Sequence, residues 1–173
     1  DELVASSKIE ERVAERAKGF AAKSARKGQG AGIALAPLAR TFDDGGVEYD
    51  HLSVEIDRER RMATFTLKTS DAPVPADAAG VVAEGAAFWP LAIARQLDDA
   101  ILHLRNNEFL IGTWIFKSAG DAARVAAYDA LLDAHKDHWL VNEIRHYWKR
   151  VLKRIDVSSR SLVATVEPGS CVV

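Results

Sequence analysis

Several places in the sequence carry residue types that can do chemistry. His135-Lys136-Asp137-His138 sets two histidines at i and i+3, with Asp133 and His146 nearby. On a helix such groups can converge on a metal ion. The segment falls where two helices are expected to join, however, and polar residues collect at such junctions anyway. A solvated junction is the stronger interpretation, and no metal is expected. Asp98-Asp99 is a pair of adjacent carboxylates inside an expected helix. Neighbouring helical positions do not face each other, which argues against an acid–base dyad. His103 reads as a partly buried helix histidine. Lys149-Arg150 and Lys153-Arg154 could meet a phosphate, but cations in a last helical turn already complement the helix dipole. Cys171 has no histidine within local reach and reads as a packed thiol. Gly28, Gly30 and Gly32 are dense enough to suggest a phosphate loop, yet no strand precedes them and the spacing fits neither nucleotide motif.

Two strand ends are more informative. An apolar run over 109–116 passes into Lys117-Ser118-Ala119-Gly120, and a second over 161–167 passes into Pro168-Gly169-Ser170-Cys171. In open α/β sheets ligands bind beyond the carboxyl ends of strands. Small residues there let backbone N–H groups approach a carbonyl oxygen, which is what an oxyanion site requires. Ser118, Gly120, Gly169 and Ser170 are therefore the candidate residues. The alternative is two ordinary strand-to-helix turns. No catalytic acid, base or nucleophile is identified.

The elements that would position these turns follow from periodicity. A helix is expected over 4–26, with Ile9, Val13, Ala17 and Phe20 on one face. Glycines and Pro37 make 27–47 a linker. Residues 49–68 alternate as a hairpin, with Leu52, Val54 and Ile56 on one strand, Ala63, Phe65 and Leu67 on the other, and a turn at 58–61. A loop over 71–79 precedes a helix over 84–106, with Pro90 in its first turn. The run 109–116 reads as a strand covered on both faces. Ser118 to Asp121 has the spacing of a capping box ahead of a helix to Ala134. A further helix spans 137–155 with Leu140, Ile144, Tyr147, Trp148, Val151 and Ile155 inward, and a buried strand follows over 161–167. Strand–helix–strand alternation after a hairpin makes this an α/β layer fold.

Composition bounds the function classes. The chain has 173 residues, 48% of them hydrophobic and 28% charged. That supports one core-forming domain or a piece of something larger. Its net charge of −2 argues against nucleic acid as a partner. A single cysteine excludes an internal disulfide and a cysteine-based zinc site. No apolar run reaches membrane-spanning length, no leader segment is evident, and the cytoplasm is the expected compartment. The chain opens at Asp1 and closes on Cys171-Val172-Val173, directly after an apolar strand. These ends lead to the expectation of a segment of a longer protein.

Phe116-Lys117-Ser118-Ala119-Gly120-Asp121 is similar to the F-C-A-G-x-D pattern of the enoyl-CoA hydratase (crotonase) superfamily. Val163 to Cys171 sits where that superfamily has a strand and a glycine-rich turn. The runs FWPLAIARQLDDAILHLR (88–105), RIDVSSRSL (154–162) and EPGSC (167–171) more closely resemble the benzoyl-CoA-dihydrodiol lyase family, and the resemblance covers essentially the whole chain. It implies a two-halved crotonase-like (ClpP/crotonase) protein. Residues 1–40 would be the helical tail of the first half plus linker, and 47–173 the front of the second, giving an incomplete layered fold. It implies an enzyme of aerobic benzoate degradation that adds water to 2,3-epoxybenzoyl-CoA, opens the ring and releases formate, without a metal or redox cofactor. The implied partners are that benzoyl-CoA-derived epoxide, the missing first half, and further copies in a homo-oligomer. In that superfamily, backbone N–H groups at the two turns polarise the thioester carbonyl. Here Pro168-Gly169-Ser170-Cys171 replaces the usual glycine run, and Lys117 stands where a small residue is common. The family's catalytic carboxylates are expected in the first half. The alternative reading is therefore a non-catalytic crotonase-like scaffold or oligomerisation module, inactive alone.

Overall fold

A computed structural model describes residues 2–24 and 32–171. They fall into two compact units, one ending at Gly32 and one beginning at Ile33. In the first, a 3-10 turn at Ser6–Lys8 leads into helix α1, Ile9–Lys23. Glu2 pairs with Arg12 and Arg16 along its flank. The helix is shorter than the expected 4–26, and none of its residues is buried within this unit. Ala25 and Arg26 of that expected helix, and Gly28 and Gly30 of the glycine-rich segment, lie outside the described residues.

The second unit is a mixed α/β layer. Its six strands are β1 (Thr41–Asp43), β2 (Gly46–Glu48), β3 (Leu52–Asp57), β4 (Met62–Lys68), β5 (Thr113–Ala119) and β6 (Ser161–Ala164), and they lie in the sheet in that same order. The first four form an antiparallel meander, while β4–β5 and β5–β6 are parallel. Parallel neighbours need long crossovers. Helices α2 (Ala78–Glu84) and α3 (Trp89–Asn107) supply the first, and α4 (Ala122–Ala134) and α5 (Trp139–Asp156) the second.

Register puts Val54, Phe65 and Phe116 in line on one face, beside Ala63 and Trp114. Leu97, Ala100, Ile101 and Leu104 of α3 and Val151 of α5 close over them. The α3 residues recur at three- and four-residue spacing, the stripe that an amphipathic helix buries. A second cluster joins Val81, Phe88, Leu91, Tyr128, Leu140 and Ile144. The two aspartates at the middle of α3 point apart and tie it on both sides. Asp99 accepts from the Tyr49 hydroxyl at 2.7 Å and pairs with Arg40. Asp98 accepts from the Tyr147 hydroxyl at 3.2 Å and lies 3.0 Å from the Arg154 guanidinium. Their role is structural, as the divergence of adjacent helical positions requires.

Several elements differ from expectation. Part of the presumed linker is strand: β1 and β2 form a hairpin whose turn is Asp43 to Gly46, with the Asp43 carboxylate accepting from the Gly45 and Gly46 amides. The helix expected over 84–106 breaks at Gly85, which takes φ +55°, and α2 precedes the break. Phe109 and Leu110 are 72% and 75% exposed, and β5 starts only at Thr113. The amides of Glu108 and Ile111 bond back to Leu104 and Glu108 carbonyls, so a turn occupies the start of that apolar run. Ser118 belongs to β5 and not to a capping box. Asp121 caps α4 itself by accepting from the Ala123 and Arg124 amides. All four residues of β6 are exposed instead of buried, because the strand has one neighbour only among the described residues.

Two expectations can be measured. Gly46 has φ +153°, and a Cβ there would stand 1.8 Å from the Val54 carbonyl oxygen. Gly46→Ala should destabilise the second unit by about 2–4 kcal/mol, read as a lower urea midpoint at unchanged slope. An unchanged midpoint would contradict the β2–β3 register. All three tyrosines are held protonated. Burial pushes Tyr147 up to about 12 with help from Asp98, and burial also raises Tyr49, beside Asp99, and Tyr128. The unfolded chain ionises near pH 10. The folded state is therefore penalised above that pH, and stability fully present below pH 10 is lost as pH rises from there through the raised folded values, about 12 for Tyr147. While the chain stays folded, absorbance at 295 nm should rise with a midpoint above pH 10. A midpoint near 10 with intact circular dichroism would refute this.

Candidate functional site

The carboxyl ends of β4, β5 and β6 converge on the turns predicted from sequence. Pairing of Leu67 with Ser118 and Lys68 with Ala119 brings Thr69 beside Gly120. The Thr69 amide donates to the Ala119 carbonyl at 3.0 Å. Side-chain alternation sets Ser118 on the helix-covered face with Trp114 and Phe116, and Lys117 on the other. Gly120 adopts φ +132°, and a Cβ there would fall 2.6 Å from the Thr69 hydroxyl oxygen. Glycine is thus required for both backbone and space. Asp121 then starts α4.

The second turn folds back on the first. The Gly120 amide donates to the Gly169 carbonyl at 3.2 Å. The Ser170 amide donates to the Glu167 carbonyl at 2.9 Å, while the Glu167 amide donates to Ser170 Oγ at 3.0 Å. Across the turns, Lys117 Nζ lies 3.1 Å from Glu167 Oε1. This exposed pair contributes at most about 1 kcal/mol. Gly169 takes φ +90° with open space at its Cβ position. Cys171, a free thiol, packs buried after the turn.

Ser118, Gly120, Gly169 and Ser170 are therefore neighbours, but their donors are not equally free. The Gly120 N–H is already satisfied by Gly169, and Ser170 is engaged with Glu167. Among the described residues, Ser118 Oγ, Thr69 Oγ1 and Thr165 Oγ1 are buried side-chain oxygens without a hydrogen-bond partner. A buried hydroxyl that lacks a partner carries a desolvation cost that a ligand acceptor would relieve. The unspent hydrogen-bonding capacity of this region thus lies in hydroxyls more than in amides. Thr69 was missed from sequence, since only the parallel β4–β5 pairing brings it there.

The other chemistry-bearing groups disperse. Among the described residues no group of three or more His, Cys, Asp or Glu side chains converges as a metal set. His138 begins α5 and its ring lies against Trp139. Arg154 serves Asp98, Lys153 lies 2.6 Å from Asp156, and Arg150 stands over the Tyr147 ring. Among the described residues no helix is long and apolar enough to cross a membrane.

No family model matches the chain. It is 42% identical over 171 residues to the benzoyl-CoA-dihydrodiol lyase of Aromatoleum evansii. The match takes in 99% of this chain and 31% of that protein, so the chain spans about a third of the length of this curated relative. The similarity is sustained along nearly the whole of this chain, and it is to one stretch of that longer lyase.

Proposed function

We propose that this chain is part of a carbon–carbon lyase that processes an aromatic CoA thioester. The observation that carries the reading is the 42% identity, sustained over 99% of the chain, to a protein named for a benzoyl-CoA derivative. The strand-end turns are consistent with it. They place small residues and unpartnered hydroxyls where an α/β sheet binds ligands. In this reading the sheet and its crossovers are the front of an incomplete crotonase-like layered fold. The parent enzyme hydrates and opens the ring of 2,3-epoxybenzoyl-CoA with loss of formate, and acts as a cytoplasmic homo-oligomer without a metal or redox cofactor. Here Ser118 Oγ and Thr69 Oγ1 would donate to the thioester carbonyl, with the Gly120 amide joining only when the Gly169 turn lifts.

That last condition favours a second reading. The Gly120 N–H, the donor a thioester would need, is spent on Gly169. A segment whose carbonyl site is filled by its own turn suits a scaffold that packs on a catalytic partner half and does no chemistry alone. In either reading the purified chain releases no formate from 2,3-epoxybenzoyl-CoA. Calorimetry of the folded chain with benzoyl-CoA separates the two. The lyase-site reading expects micromolar binding, weakened roughly 2- to 10-fold by Ser118→Ala or Thr69→Val, the range for loss of one hydrogen bond. No binding by a chain that retains its circular dichroism supports the scaffold, and formate release by the chain alone would overturn the division of labour.

A further inference from the structure

A cleft of about 570 Å³ opens between the start of α3, helix α4 and helix α5, lined by none of the strand-end candidates. Its size is that of small-molecule pockets, roughly 300–1,000 Å³. Three aromatic rings line it: Trp89, Tyr128 and Trp148. Each indole is fixed through its N–H. Trp89 Nε1 donates to the Lys68 carbonyl at 3.0 Å, and Trp148 Nε1 to the Pro90 carbonyl at 2.9 Å. Tyr128, 1% exposed, holds its ring 5.0 Å from that of Trp89, tilted by 32°. Val125 and Leu132 add aliphatic wall from α4. The lining balances its charge, with Arg145 3.7 Å from Asp133 and with Lys149 and Asp129 as its other charged residues. Fixed aromatic and aliphatic walls within a charge-neutral lining suit a flat, uncharged ring far better than an anion.

Hydrogen bonds link the cleft lining and α4 to the segment beside the strand-end turns. The carbonyl that holds Trp89 belongs to Lys68, and the next residue, Thr69, is the one that abuts Gly120. Arg124, beside Val125 on α4, donates to the Ser70 carbonyl at 2.5 Å. Residues 68–70 thus hold Trp89 of the cleft lining and Arg124 of α4 while abutting the turn at Gly120.

We propose that this cleft binds a planar aromatic ring of the thioester ligand, between Trp89, Tyr128 and Trp148. The inference rests on the proposed function for its ligand. A benzoyl group and an adenine are both flat rings of such a ligand, and binding experiments tell them apart. Wild-type chain is titrated with benzoyl-CoA, with acetyl-CoA, which keeps the adenine alone, and with S-benzoyl-N-acetylcysteamine, which keeps the benzoyl alone. Val125→Trp and Leu132→Trp each fill the cleft from a half-buried position and remove none of the three aromatic walls. Circular dichroism identifies folded variants, and two positions guard against one failing to fold. Benzoyl-CoA should bind the wild type and bind either folded variant at least tenfold more weakly. The truncated ligand that keeps the bound ring should show the same loss, and the other should be indifferent. If benzoyl-CoA binds wild type and both variants alike, the cleft assignment is wrong while the thioester reading survives. If no thioester binds the folded wild type, both fall together.

Discussion

The register of β4 against β5 is the constraint on which the rest of this molecule depends. Seven pairs, from Met62 with Thr113 to Lys68 with Ala119, join segments separated by two helices. Side chains alternate along a strand, so a slip of one residue would turn Trp114, Phe116 and Ser118 away from α3 and bring Lys117 under it. The stacking of Phe65 on Phe116, with centroids 4.8 Å apart, and its tilted contact with Trp114 at 5.5 Å make that slip costly. The same pairing sets Thr69 against Gly120. One register therefore fixes the core and the candidate site together.

Partly buried polar contacts, as well as apolar burial, hold α3 in place. Asp98 and Asp99 fasten α3 to α5 and to the segment before β3, while Gln96, itself buried, accepts from the His51 amide at 3.0 Å. Such contacts contribute modestly to net stability but are costly to leave half made. They restrict how α3 can rotate, and so where Trp89 at its start can stand.

Much of the second unit was legible from sequence because its signals are local and redundant. Alternation through Leu52, Val54 and Ile56 and then Ala63, Phe65 and Leu67 defines the β3–β4 hairpin. The helical stripe from Leu140 to Ile155 defines α5 within two residues. Legibility failed where one local signal competed with another. Phe109 and Leu110 look like buried strand residues, but the helix end at Glu108 claims the backbone there. Gly45-Gly46 reads as linker, yet it is the turn of a hairpin whose strands are three residues long. The strand-end turns were legible as small-residue segments following apolar runs. The hydrogen bond from Gly120 to Gly169, and the part played by Thr69, were not, since they join residues 49 and 51 positions apart.

The exposure of β6 makes the sheet unequal in persistence. Its Ser161 and Thr165 amides bond to Gly112 and Phe116 of the β5 side. By alternation the amides of Leu162 and Ala164 face away and are left to water. A strand held along one side, with no buried residue of its own, sits at the low end of the local unfolding scale, whereas β3 and β4 sit at the high end. Gly169 and Ser170 follow that weakly held strand, while Ser118 and Gly120 lie at the end of its firmer neighbour. Fraying at β6 would lift the Gly169 carbonyl from the Gly120 amide without disturbing the core, so the two halves of the site open and close on the clock of the sheet edge.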